Sequence, residues 1–270
     1  MRNLIFFSLF SLSLGCFAQK GKKVKPDYIY CYKETSLETD DYKVYIVDAQ
    51  SKFEFSKFKI RIFNKTNDYL IFKPAEFSFL IGTQDLSPKE KLLIVQPNDE
   101  SSRVLDVKGD GCQVDKYTFE IKAYYKVANN ASAIQVEDFN LPPTRNNFKA
   151  GPFDCERIDH KLKPERSVIK FGCTYQGDGI GIMDPYKCSA NMANGKDVAN
   201  LKQYKPSLME KGKYEDFYVE IRSIPGSGDM STEPFKIKWN DTFKDSKLTQ
   251  LKGSKLDVEI DQKKTEEKNN

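Results

Sequence analysis

Apolar and polar residues alternate with a period of two through much of this chain. Phe58-Lys59-Ile60-Arg61-Ile62 is the clearest run, with Lys59 and Arg61 opposed to the three hydrophobes. Successive side chains of a strand point to opposite faces, so this period marks half-buried strands. Turn residues separate the runs: Asn64-Lys65-Thr66-Asn67-Asp68 in one place, Gln176-Gly177-Asp178-Gly179 in another. No stretch carries a convincing helical period. Roughly six to eight short strands per hundred residues predict an all-β sandwich architecture.

The pattern occurs twice. A shift of 111 positions sets Tyr42–Phe77 against Phe153–Cys188 without a gap, so that Val44 meets Cys155 and Asp48 meets Asp159. Phe58, Ile60 and Ile62 meet Ile169, Phe171 and Cys173; Tyr69 and Ile71 meet Ile180 and Ile182; Pro74 meets Pro185. With small drifts, 93–107 continues onto 207–221, and Tyr117–Lys122 corresponds to Pro234–Trp239. Such self-similarity is the mark of a duplicated unit. It predicts one sandwich over 27–127, a polar hinge at 128–132 and a second sandwich over 133–252, with a loop at 141–147. Residues 253–270 read as a charged, largely disordered tail, with Leu256, Val258 and Ile260 allowing one short strand.

The Asn-rich hairpin, the Pro beyond the next strand (Pro74, Pro185) and the polar turn before a β-rich run resemble bacterial immunoglobulin-like domains. The resemblance covers nearly all of the chain after its leader. It implies two tandem immunoglobulin-like sandwiches, a fold whose members usually bind, space or dock. Fold alone does not give function.

The leader reads as a signal peptide over 1–18. Arg2 supplies a positive start, Leu4 to Leu14 an apolar stretch, and Cys16-Phe17-Ala18 small residues before a cut at Gln19. The Ala18-Gln19 junction resembles signal peptides of Bacteroidota. The competing reading makes Cys16 a lipid anchor, but Ser13 stands where a lipobox wants Leu. The expected location is therefore exported: periplasm, outer-membrane-associated or extracellular. No later apolar run is long enough for a transmembrane helix.

Charge adds little. Lys and Arg number 43 against 39 Asp and Glu, interspersed, so neither sign is blocked and nucleic acid is not an expected partner. Cys31, Cys112, Cys155, Cys173 and Cys188 follow the leader, an odd set in an expected oxidising compartment. Cys155, Cys173 and Cys188 align with Val44, Ile62 and Phe77, so all three should face the second core. Cys173 with Cys188 is the favoured disulfide, and Cys31 with Cys112 a second pairing. No C-x-x-C spacing supports a metal site or redox motif, and no cofactor is expected.

Other candidate chemistry is thin. His160 is the lone histidine, and its repeat counterpart is Ala49, so any triad would have to run through a position the fold does not demand. The Asp-Gly clusters at 108–111 and 176–184 lack calcium-loop spacing and read as turns. No pair of acids stands out for glycoside hydrolysis. Tyr28, Tyr30 and Tyr32 alternate with Ile29 and Cys31; with the latter two inward, the tyrosines would form an exposed row. Tyr124 and Tyr125 could extend it. Such a row can stack on sugars or anchor a protein.

Three functions follow in order: a non-enzymatic envelope protein docking onto another envelope protein as an accessory subunit; a glycan-binding module using the Tyr row; and a hydrolase drawing acids from loops.

Overall fold

The computed structural model describes residues 28–270. The expected signal peptide and the Cys16 anchor lie outside the described residues. The first half forms β1 (Tyr30–Cys31), β2 (Thr35–Glu38), β3 (Tyr42–Lys52), β4 (Phe55–Asn64), β5 (Tyr69–Phe72), β6 (Phe77–Ile81), β7 (Gln84–Leu86), β8 (Leu93–Val95), β9 (Glu100–Lys108), β10 (Lys116–Ile121) and β11 (Ala123–Val127). The second forms β12 (Phe139–Leu141), β13 (Asn147–Ala150), β14 (Phe153–Leu162), β15 (Arg166–Tyr175), β16 (Ile180–Met183), β17 (Ser189–Asn191), β18 (Asp197–Ala199), β19 (Ser207–Met209), β20 (Tyr214–Arg222), β21 (Phe235–Lys238) and β22 (Phe243–Ser246). The chain ends in β23 (Leu248–Lys252), β24 (Lys255–Glu259) and α1 (Gln262–Asn269). The fold is all-β and of sandwich type. No helix among the described residues is long and apolar enough to cross a membrane.

In the first sandwich, β1 and β2 lie end to end along β3, followed by β4 and β9. The facing layer is built of strands broken at mid-length. It runs β24-β10-β6-β7 at one end and β23-β11-β5-β8 at the other, with the 3₁₀ turn Pro74–Glu76 between β5 and β6. The second sandwich sets β13-β14-β15-β20 against β12-β21-β17-β18 and β19-β16-β22, with the matching 3₁₀ turn at Pro185–Lys187. Val44, Phe58, Ile60, Phe79 and Phe119 are at most 1% exposed in the first core; Phe153, Ile169, Phe171, Phe217 and Ile237 form the second.

The duplication holds at the level of strand register. Val44 faces Ile62 and Tyr42 faces Asn64; their counterparts Cys155 and Phe153 face Cys173 and Tyr175. Both hairpins bulge within one residue of the same place, after Val47 in one and after Arg157 in the other, where an extra residue twists the strand. The last match needs a correction of one residue. Glu120 pairs with Ser78 and Lys238 with its counterpart Ser189, so Phe119 corresponds to Ile237 and Tyr117 to Phe235. A single slip would turn every side chain to the other face.

The C-terminal residues depart from expectation. They are not a loose tail: β23 pairs with β11 and β24 with β10, so Leu248–Lys252 also belongs to the first sandwich. Leu256 and Val258 enter the first core, while Lys255, Asp257 and Glu259 face solvent and pair with Glu120 and Lys116. The charge that suggested disorder is the wet side of an edge strand. In the second sandwich the same edge is filled from its own start, by β12 on β21 and by Ala133 bridging Lys244. Beyond β24, α1 lies against β1. Its N-cap Asp261 accepts from Lys264 N, Cys31 N donates to Thr265 Oγ1 at 2.9 Å, and Ile29 N donates to Asn269 Oδ1 at 2.8 Å.

The two sandwiches share an apolar seam. All four residues of β5 and all four of β16 are buried. Leu70 and Phe72 face the first core and Met183 the second, while Tyr69, Ile71, Ile180 and Ile182 meet between them with Tyr125, Val127 and Leu208. Repeat equivalents therefore share one cluster: Tyr69 with Ile180, and Ile71 with Ile182.

Candidate functional site

A cleft of about 830 Å³ opens at one end of this seam, walled by loops from both sandwiches and by the linker between them. One wall begins with Asn64, fully buried at the end of β4. Its Nδ2 donates to the carbonyls of Asp68 (2.7 Å), Gln96 (3.0 Å) and Val95 (3.3 Å), and its Oδ1 accepts from Thr66 N and Oγ1. One amide thus ties the β4–β5 turn to the loop after β8, satisfying backbone groups that burial would otherwise leave unpaired. Asn98 Nδ2 then donates to Asn67 Oδ1 at 2.9 Å.

The linker is held from both sides. Asp68 Oδ1 accepts from Asn129 N at 3.0 Å, Lys244 Nζ donates to Asn129 O at 2.9 Å, and Ser246 Oγ donates to Ala128 O at 3.1 Å. Across the cleft Lys205 Nζ meets Asp99 Oδ2 at 3.1 Å, and Gln96 Nε2 reaches Pro206 O at 3.4 Å. The polar stretch expected as a hinge, 128–132, is therefore clamped at Ala128 and Asn129.

Asp184, between β16 and its 3₁₀ turn, lines the cleft with its carboxyl half-buried. Its backbone N donates to Thr242 O, and its Oδ1 is enclosed without a hydrogen-bond partner among the described residues. Burial raises its carboxyl above the ordinary 3.8, against the pull of Lys187 and Lys244. Burial, aided by the Asp184 charge, pushes the Tyr69 hydroxyl up to about 12. Asp99 is held low by its bond from Glu100 N and by Lys205. The lining thus presents carboxylates, ammonium groups and the amides of Asn67, Gln96 and Asn130 over an apolar floor of Tyr69 and Ile182. Such a surface offers donors and acceptors along its length to a polar segment.

The residues singled out in the sequence fall elsewhere. Tyr28, Tyr30 and Tyr32 do not form an exposed row. Tyr32 is 2% exposed in the first core, its hydroxyl bonded with Ser51 Oγ at 2.7 Å and donating to Val114 O at 3.0 Å; Tyr30 packs on that core half-buried, its ring edge-on to Tyr28. The alternation runs opposite to expectation because α1 covers the Cys31 face of β1. Tyr124 and Tyr125 are buried too, one in the first core and the other in the seam.

Both cysteine pairings are overturned. Cys173 bonds to Cys155, its direct cross-strand neighbour, with Cα atoms 4.1 Å apart. Cys188 faces the same core from the opposite layer as a free thiol, 3.3 Å from Thr242 Oγ1. Cys31 and Cys112 are also free: Cys31 sits under α1, while Cys112 lies inside the core and bonds to Gly109 O. The disulfide is compatible with an oxidising compartment. His160 stands past the β14 bulge, 2.6 Å from an Arg157 nitrogen and away from the cleft.

Asn64 and Asp184 were not evident beforehand. The available signal was β5 and β16 themselves: Tyr-Leu-Ile-Phe and Ile-Gly-Ile-Met are unbroken apolar runs, the mark of strands covered on both faces. Such strands announce a seam, and its margin is where loops from two units converge. No protein-family model matches the chain, and no curated protein matches it in sequence.

Proposed function

We propose that this chain is an exported, non-enzymatic envelope protein whose two sandwiches act as one docking body, holding a polar segment of another envelope protein in the cleft. The observation that carries the reading is the seam. Seven buried apolar residues from both halves join the sandwiches, so the cleft walls keep a set separation rather than swinging on a hinge. Support also comes from the lining, which mixes Asp68, Asp99 and Asp184 with Lys187 and Lys205. The disulfide fits an extracytoplasmic site, and the resemblance of each half to immunoglobulin-like domains fits docking.

The test places a photo-activated cross-linking residue at Asn130 in the native host and analyses envelope extracts by mass spectrometry. The expected outcome is one dominant adduct, lost when Lys187 and Lys205 are both changed to Glu while thermal stability is kept. A chain that purifies alone and gives no adduct from Asn130 overturns the reading.

A further inference from the structure

We propose that the outer face of the β13-β14-β15-β20 sheet binds a neutral oligosaccharide, with the ring of Tyr214 as its stacking surface. The site is separate from the cleft and independent of the docking reading. Tyr214 opens β20 opposite Thr174, and its ring lies down across Gly172 of β15. A Cβ on Gly172 would stand 2.1 Å from the Tyr214 hydroxyl oxygen and 2.7 Å from Cζ, so only glycine lets the ring rest on the sheet. Tyr214 nevertheless remains 47% exposed, so its outer surface is open to solvent.

A groove of about 480 Å³ runs beside the ring, edged by Asn147, Lys149, Asp154, Glu156 and Thr174 over Gly172. Its volume falls in the range of small-ligand clefts.

The first sandwich supplies an internal control. There the position of Gly172 holds Arg61 and that of Tyr214 holds Glu100, joined as a fork by two bonds of 2.9 Å. Glu156 is matched by Tyr45, whose ring lies under Lys43 and Arg61. The fold is therefore content with a closed ion pair at this place; the open ring on a glycine is particular to the second half. Further along β20, Tyr218 is exposed as well, at 39%, but it lies under Lys170, itself paired with Asp216 at 2.9 Å, so Tyr214 is the more open of the two rings.

The chemistry selects the ligand. A pyranose presents C–H groups on one face, which pack on an aromatic ring, and equatorial hydroxyls at its rim, which carboxylates and amides accept and donate to. Asp154 is paired with Lys149 at 3.1 Å, and Glu156 stands beside it, so the rim offers acceptors and no surplus of cations. That composition disfavours a polyanion.

The ring also shields the Gly172 backbone, a structural role that any aromatic fills, so the test separates the two. The full chain is titrated with cellohexaose and with chitohexaose by calorimetry and by fluorescence of Trp239. This sole tryptophan stacks 4.7 Å from the Phe148 ring on the core face of the same sheet, beneath the groove. Binding of at least one sugar is expected, weakened about tenfold or more in Tyr214→Ala and nearly unchanged in Tyr214→Phe. Glu156→Gln, which leaves the ring in place, should weaken binding while the melting temperature stays the same. No heat and no fluorescence change with either sugar overturns the proposal. So does full binding by Tyr214→Ala, or full binding by Glu156→Gln should Tyr214→Ala fail to fold.

Discussion

Asp184 shows how one residue can couple the cleft to pH. It sits half-buried at the margin where the two sandwiches meet, and that burial makes the folded chain hold its proton more tightly than the unfolded chain does. Between the ordinary carboxyl value and the raised folded value the native state binds more protons, so stability falls as pH rises through that window and is level above it. Asp184→Asn removes the ionisation and keeps the shape. The variant should melt above the wild-type chain at about pH 7, with the difference shrinking toward about pH 3, where Asp184 is protonated in both states. Equal shifts at both pH values would show that the carboxylate is compensated by Lys187 and Lys244 after all. At this scale the sequence was informative about direction and poor about partners. Alternation correctly sent Cys155, Cys173 and Cys188 inward, but all three share one core, and only the hairpin register tells which two are adjacent. Val44 opposite Ile62 in the first copy already encoded that adjacency. For Tyr32 the alternation was visible and its sense was not, because the cover on the other face, α1, lies more than two hundred residues away.

Among elements, the C-terminal strands carry the largest departure from what the chain's pattern foretold. A Lys/Glu-rich stretch reads as solvated, yet Leu256 and Val258 are enough to seat β24 against β10. Burying two such side chains contributes roughly 3–6 kcal/mol, a large fraction of the 5–15 kcal/mol by which domains are usually stable. The break between β23 and β24 is equally constrained: a Cβ on Gly253 would fall 1.8 Å from Ile121 O, so the edge strand crosses over the β10–β11 break at its one glycine. Deleting residues 248–270 should therefore open the first sandwich selectively. Hydrogen exchange read by mass spectrometry is expected to rise throughout β3 to β11 while β14, β15 and β20 stay protected, held by their own edge strand and by the disulfide. Unchanged protection of β10 and β11 in the truncated chain would mean that the edge is dispensable. The repeat itself was legible because period-two strands match position by position. The exchange of edges was not, because a pairing between the two ends of the chain leaves no local trace.

At the scale of the molecule, the duplication explains why the halves meet as they do. Tyr69 and Ile71 lie on the strand that corresponds to the one bearing Ile180 and Ile182, and in both the outward residues are apolar where other strands carry Lys, Arg or Asp. The joint thus sets equivalent strands of the two halves together within one chain, as a two-fold interface does between two chains. The joint then brings the β4–β5 turn of one copy and the 3₁₀ turn of the other to the same margin, where the cleft forms. Placing a charge in it tests whether the cleft depends on the joint. Ile182→Asp buries an unpaired carboxylate between the sandwiches, a substitution that costs several kcal/mol unless the interface opens. Opening is the cheaper response, since β16 still pairs with β19 and β22 and Met183 still faces its own core. The expected result is a larger radius of gyration by X-ray scattering, near-native circular dichroism, and separate unfolding of the two halves in calorimetry. The Asn130 cross-link should disappear with it, whereas binding at Tyr214, which draws only on β13, β14, β15 and β20, should persist. Loss of both together would place the Tyr214 surface under the control of the seam, and retention of both would show that each half of the cleft suffices alone.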